Sequence, residues 1–198
     1  MTEMPLFPLS AVLLPHGRMP LRIFEQRYID LVRDSLRNDT PFGMVWIRQG
    51  SEVAERGRAA PELGNHGTTA RIVDWDQLPD GLLGITIEGQ QRFELFAAES
   101  RANGLVVGEI TEYAPPPRER MREEWLPLLD VLRSLETHPH VERMQLTVDY
   151  NDAWQVGYTL VQLLPIDEAL KYQMLGMDAL EDLMEALESL LTEVSGEA

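Results

Sequence analysis

The chain has 198 residues, no cysteine and a formal net charge of −16. Its length suits one large domain or two small ones with a true core, burying roughly 70% of the unfolded chain's surface. Without cysteine there is no disulfide, thiolate metal site or cysteine nucleophile, as fits a cytoplasmic protein, and the negative charge opposes nucleic acid and anionic membrane surfaces as partners.

The N-terminal MTEMPLF has neither a basic n-region nor an apolar h-region, so no signal peptide is expected. Residues 5–32 read PLFPLSAVLLPHGRMPLRIFEQRYIDLV and are the most informative part of the chain. Pro5, Pro8, Pro15 and Pro20 each remove a backbone donor. They predict short edge strands, joined by a turn at Pro15-His16-Gly17, rather than strands in the centre of a sheet. Phe24, Tyr28, Leu31, Val32 and Leu36 then fall on one face of an amphipathic helix. Arg22, Glu25 and Arg27 place three charges in an apolar neighbourhood, which predicts an ion cluster locking the loop to this helix.

Phe42 to Arg48 is a buried-strand candidate, and the polar residues 49–66 are expected to form a mobile loop. Strand signals resume at Gly67 to Asp76, with Ala70, Ile72 and Val73 as inward candidates. Leu78-Pro79-Asp80-Gly81 predicts a turn. Leu83, Ile85 and Ile87 alternate, Gly89 is expected to break the strand, and Phe93 and Leu95 alternate again. Asn103-Gly104 predicts a hairpin turn before a strand over Leu105 to Tyr113. Short strands at roughly 10-residue spacing around one helix predict a small, partly closed barrel.

Pro115-Pro116-Pro117 is a stiff spacer, and it predicts a β-rich domain over 1–114 and a helical one over 118–198. Residues 1–117 carry 16 acids and 11 arginines, whereas 118–198 carry 17 acids against 6 bases. Met121, Trp125, Leu128, Leu129, Leu132 and Leu135 keep helical spacing, with Pro127 either kinking that helix or setting its start. Asp149 to Leu164 is apolar on nearly all sides and predicts a central helix; its uncharged run of 12 residues from Ala153 is too short to span a bilayer. Leu164-Pro165 stops it, Asp167 and Asp178 are caps for two further helices, and Gly176 separates them. The last helix aligns Leu180, Leu183, Met184, Leu187, Leu190, Leu191 and Val194 opposite Glu181, Asp182, Glu185 and Glu188.

Candidate chemistry is sparse. His138-Pro139-His140 could direct two imidazoles one way, but no third ligand is evident, and an exposed loop is the better reading. There is no GxSxG elbow, phosphate loop or GxGxxG, and the only lysine, Lys171, has no serine near it in sequence. No catalytic residue, metal site or cofactor is assigned. The exposed-edge candidate is Met19-Pro20-Leu21, which offers a surface for an extended peptide by strand addition.

PLFPL (5–9), VLLPHGRMPLRIFEQRY (12–28), FGMVWI (42–47), GTTARI (67–72), LPDG (78–81), ITIEGQQRF (85–93) and LLPIDEALKYQMLGMDALEDLMEALESLL (163–191) together resemble the N-terminal domain of the ATP-dependent Lon proteases. The resemblance implies an α+β fold: a small PUA-like pseudo-β-barrel followed by a C-terminal helical bundle. It implies a non-enzymatic module that binds unfolded or extended polypeptide, with a AAA+ protease or chaperone as a further partner. The nucleotide-binding and Ser-Lys protease modules of Lon have no counterpart before Ala198, so the expectation is a stand-alone member with no catalytic residue to carry over. Leu175-Gly176 stands where the family often has an acidic residue after the paired leucines. The peptide contacts expected are Met19, Leu21, Ile23, Phe24 and Tyr28; the alternative is a small-molecule or, against the charge, RNA binder built on the same barrel. Neither the identity of the bound polypeptide nor the oligomeric state is legible.

Overall fold

A computed structural model describes residues 1–52 and 61–196, with side chains to residue 193. The chain folds as two compact units, Met1–Pro115 and Pro116–Ala198.

The first unit has six strands, β1 (Thr2–Leu9), β2 (Arg18–Ile23), β3 (Phe42–Gln49), β4 (Glu62–Gln77), β5 (Leu83–Ser100) and β6 (Val106–Glu112), and one helix, α1 (Gln26–Asn38). The sheet order is β2-β5-β4-β3-β1-β6, and β5 also pairs with β6. Five strands therefore close into a ring, and β2 hangs from its outside on β5 alone. The 18-residue β5 makes this possible: its first half pairs with β2 and its second half with β6, while β4 runs along most of its length.

The ring encloses Met4, Leu6, Val45, Phe93, Val106 and Ile110. Packing there is tight: a Cβ on Gly67 would come 2.2 Å from the Met44 carbonyl oxygen. A second apolar cluster lies under α1 and joins Phe7, Leu13, Ile23, Tyr28, Leu31, Val32, Phe42, Met44, Ile85 and Ile87. The buried face of α1 is Tyr28, Leu31, Val32 and Ser35. The predicted face differs at both ends. The helix begins at Gln26, so Phe24 lies before it and is exposed; Leu36 falls at the exposed rim.

The proline-rich start of the chain behaves differently from its prediction. β2 is an edge strand, but β1 lies between β3 and β6. Its two ladders are staggered: β6 pairs with Thr2 to Leu6 and β3 with Leu6 to Leu9. Pro5 and Pro8 each fall where only one neighbour is present, so a missing N–H breaks no second ladder. Between β1 and β2, Val12, Leu13 and Leu14 are buried, and the turn at Pro15-His16-Gly17 docks on Gly89. The His16 N–H donates to the Gly89 carbonyl (2.8 Å) and the Gly89 N–H to the Gly17 carbonyl (2.9 Å). Gly89 does not interrupt β5; it admits the turn, since a Cβ there would sit 2.1 Å from the Leu14 carbonyl oxygen.

Gln49 and residues 62–66, expected in a loop, belong to β3 and β4. Residues 50–52 and 61 lie outside any strand or helix, as expected, and residues 53–60 lie outside the described residues. The turns at Leu78–Gly81 and Asn103-Gly104 form with positive φ at Gly81 (83°) and Gly104 (82°).

The second unit holds α2 (Leu126–Glu136), α3 (Pro139–Glu142), α4 (Ala153–Leu163), α5 (Glu168–Leu175) and α6 (Leu180–Gly196). A 3-10 turn over Glu123–Trp125 leads into α2, and Pro127 lies in its first turn, where a missing N–H costs no helical bond. The α4 helix is buried nearly all round and packs against α2, α5 and α6. The Asp152 side chain caps α4 by accepting from the Trp154 N–H (3.1 Å), and Asp167 caps α5 through Ala169 (2.7 Å). In α6, Leu180, Leu183, Met184 and Leu187 are buried while Glu181, Asp182, Glu185 and Glu188 face solvent. Arg122 pairs with Glu119 and Glu181 and lies over the Trp125 ring (4.3 Å); its hydrogen bond holds the Glu181 carboxyl below the usual carboxylate range. Among the described residues no helix is long and apolar enough to cross a membrane.

Candidate functional site

The outer side of β2 has no neighbouring strand, which leaves one row of backbone donors and acceptors open. Along β2 the side chains alternate. Met19, Leu21 and Ile23 turn toward the cluster under α1, and Arg18, Pro20 and Arg22 lie between them. Met19 and Leu21 are only half-buried. Phe24, at the end of the strand, is 59% exposed. These three residues present apolar surface beside an open edge.

The other two expected contacts are interior. Ile23 is 1% and Tyr28 5% exposed. The Tyr28 ring stacks on Phe7, with centroids 3.9 Å apart and an interplanar angle of 14°. Burial pushes the Tyr28 hydroxyl pKa up to about 12, against the pull of the adjacent Arg27 cation. Neither side chain can touch a bound chain; both shape the floor under β2.

The expected cluster of Arg22, Glu25 and Arg27 separates into two pieces. Arg27 bonds the Glu25 carboxylate (3.0 Å) and donates to the carbonyls of Gly104 (2.8 Å) and Glu52 (3.2 Å). Its guanidinium lies 4.5 Å from the centre of the Tyr28 ring. Among the described residues its buried Nε has no hydrogen-bond partner. Arg27 thus ties the start of α1 to two distant loops. Arg22 is not in this knot: it points outward and pairs with Asp80 in the β4–β5 turn, because strand alternation sends it to the opposite side of β2 from Leu21 and Ile23.

Trp75 was not among the residues singled out by sequence, and it is 61% exposed on β4. One extra residue, at Val73, enters β4 between the Ile72–Ile87 and Asp74–Thr86 pairs. That bulge places Trp75 opposite Ile85, which itself faces Leu21 across β5 and β2. Val73 is consequently exposed rather than inward. The only local signal was an aromatic residue in the polar context Asp74-Trp75-Asp76-Gln77, next to a turn.

The candidates for chemistry are otherwise occupied. The Lys171 amine is buried against Glu168 (3.2 Å) and the Gln162 carbonyl (3.4 Å). His138 Nδ1 accepts from the His140 N–H (3.2 Å) at the start of α3, so the pair is not an extended chelating strand. Among the described residues no three His, Asp or Glu side chains are grouped to hold a metal ion.

The protein is therefore of mixed α+β class: its first unit has one helix and a six-stranded sheet of which five strands close and the sixth leaves an open apolar edge, and its second unit has helices. The family model described as the ATP-dependent protease La (LON) substrate-binding domain matches residues 3–193, and the chain belongs to that family. The crystal structure of a Lon N-terminal domain protein from Xanthomonas campestris is 36% identical, with a TM-score of 0.73, covering 97% of this chain and 98% of that one. The N-terminal domain of a Mycobacterium avium complex Lon protease shares the fold at 16% identity and a TM-score of 0.60, over 94% and 96% of the two chains. Lon protease of Escherichia coli K12 is 26% identical over 198 residues, 96% of this chain but 24% of that protein. Lon protease 2 of Myxococcus xanthus is 31% identical over 93 residues, 46% of this chain and 11% of its own length. The chain thus spans at most about a quarter of these curated relatives.

Proposed function

We propose that this protein is a non-enzymatic module that binds extended or unfolded polypeptide in the cytoplasm, as the substrate-recognition part of a Lon-type system. On this reading residues 1–114 form a PUA-like recognition barrel and 118–198 a helical bundle, and a AAA+ protease or chaperone receives what is bound. The observation that carries it is the open β2 edge with Met19, Leu21 and Phe24 beside it, in a family described by substrate binding. An extended peptide can add to such an edge through main-chain hydrogen bonds, with alternate side chains seated on the apolar surface. Pro20 limits that ladder and shifts weight to the side chains.

The reading is tested on an array of peptides from unfolded proteins, probed with wild type and Leu21→Asp. Leu21 is half-buried, so thermal unfolding is followed in parallel. Binding by wild type and its loss in a folded Leu21→Asp protein support the site. Equal, saturable binding by both removes β2 from it, and no binding by wild type removes the function. If Leu21→Asp unfolds, Phe24→Ser, at an exposed position, carries the same test.

A further inference from the structure

Besides β2, the sheet has a free stretch of edge on β4. β3 stops at the Phe42–Ala70 pair, so past Ala70 the outer side of β4 has no strand beside it. Residues 73–77 are all exposed there, Val73 and Trp75 among them. A β-branched and an aromatic residue on an open strand invite pairing with another strand. Successive N–H groups of a strand point to opposite sides, so past the bulge at Val73 the outer side presents two donors, those of Trp75 and Gln77. Both are taken. The Trp75 N–H donates to the Asp74 carboxylate (2.9 Å) and the Gln77 N–H to the Asp76 carboxylate (2.7 Å). An added strand would have to break these bonds before forming its own.

β2 has no such device. Its side chains, Arg18, Met19, Pro20, Leu21, Arg22 and Ile23, include no carboxylate, hydroxyl or amide, so none can cap an edge donor as Asp74 and Asp76 do. On β4 the carboxylates add a second obstacle, directed at a copy of the same edge. Were two β4 edges to meet antiparallel about Trp75, Asp74 of each would lie opposite Asp76 of the other. Like charges directly opposite across a ladder are destabilising.

We propose that Asp74 and Asp76 close the distal β4 edge to strand addition and so keep this protein from pairing edge to edge with a second copy of itself. The proposal does not depend on the polypeptide-binding reading, because it concerns self-association of the chain alone. The test is analytical ultracentrifugation of the full chain over a range of concentrations, as wild type, Asp74→Ala/Asp76→Ala and Asp74→Asn/Asp76→Asn. An asparagine side-chain oxygen still accepts from the next N–H but carries no charge; alanine does neither. The alanine protein should associate as concentration rises, its mass moving toward twice that of wild type. Hydrogen exchange at the Trp75 and Gln77 amides should slow roughly tenfold or more in the associated form. The asparagine protein should associate roughly tenfold more weakly than the alanine protein, or not at all. Both positions are exposed, and unchanged thermal midpoints check that the variants fold. If the double alanine variant unfolds, Asp76→Ala alone carries the same test. No association by the alanine protein overturns the proposal. Equal association by both variants assigns the effect to lost charge and overturns the capping, and association that leaves the Trp75 and Gln77 amides unprotected overturns edge pairing.

Discussion

β1 and β2 come from a single proline-rich stretch of 23 residues at the start of the chain, yet one is enclosed on both sides and the other lies open. β1 carries two prolines in eight residues and lines the ring with the fully buried Leu6. β2 carries one in six and keeps Met19 and Leu21 half-exposed. The difference lies in the neighbours. β1's ladders are staggered so that each proline is opposite one strand, whereas β2 meets only β5. An apolar, proline-bearing strand is therefore a core element or a contact surface according to what the rest of the chain lays beside it.

The sharpest way to break this comparison is truncation at matched positions. Leu6→Ala removes a side chain from the closed interior and should cost about 2–5 kcal/mol of stability in denaturant unfolding. A loss below about 1 kcal/mol would show that the ring is not closed around Leu6. The junction of the two strands supplies the next effect, because Tyr28 stacks on Phe7 of β1 and packs in the same cluster as Ile23 of β2. An unfolded tyrosine ionises near pH 10, while folded Tyr28 holds its proton to about 12. Its neutral form is the one burial favours. The stabilisation is full below pH 10, falls between pH 10 and 12, and is gone above that, with a total on the order of 2 kcal/mol. Stability measured across this range should decline less steeply in Tyr28→Phe than in wild type, and identical slopes would place Tyr28 in water.

Leu21→Ala should cost about 1 kcal/mol of stability, since half its surface burial is already forgone, while weakening peptide binding by roughly a further 1–2 kcal/mol. A stability loss as large as that of Leu6→Ala would make β2 a core strand. The smallest effect belongs to Arg22→Ala: its pair with Asp80 is solvent-exposed and should contribute no more than about 1 kcal/mol in thermal unfolding.

Much of the fold was legible locally. The amphipathic α1, the cap at Asp167, the Leu78–Gly81 and Asn103-Gly104 turns and the change from strand to helical periodicity all follow from residue type and spacing, whereas the central helix, expected from Asp149, starts at Ala153 under an Asp152 cap that was not foreseen. The candidate site was half legible. The Met19-Pro20-Leu21 edge was visible as an apolar stretch with a proline, but Ile23 and Tyr28 look the same in sequence and are interior. Trp75 was not legible at all, because its side of the sheet depends on one inserted residue at Val73.

What the sequence determined by itself is whatever depends on neighbours a few residues apart: helix faces, caps, turns and the acidity of the chain. The tertiary structure decided the rest: the staggered pairing that encloses β1, the docking of the His16 turn on Gly89, the isolation of β2 and the orientation of Trp75. Each depends on strands distant in sequence closing one ring. In such a ring a shift of one residue in register moves every following side chain to the other side of the sheet.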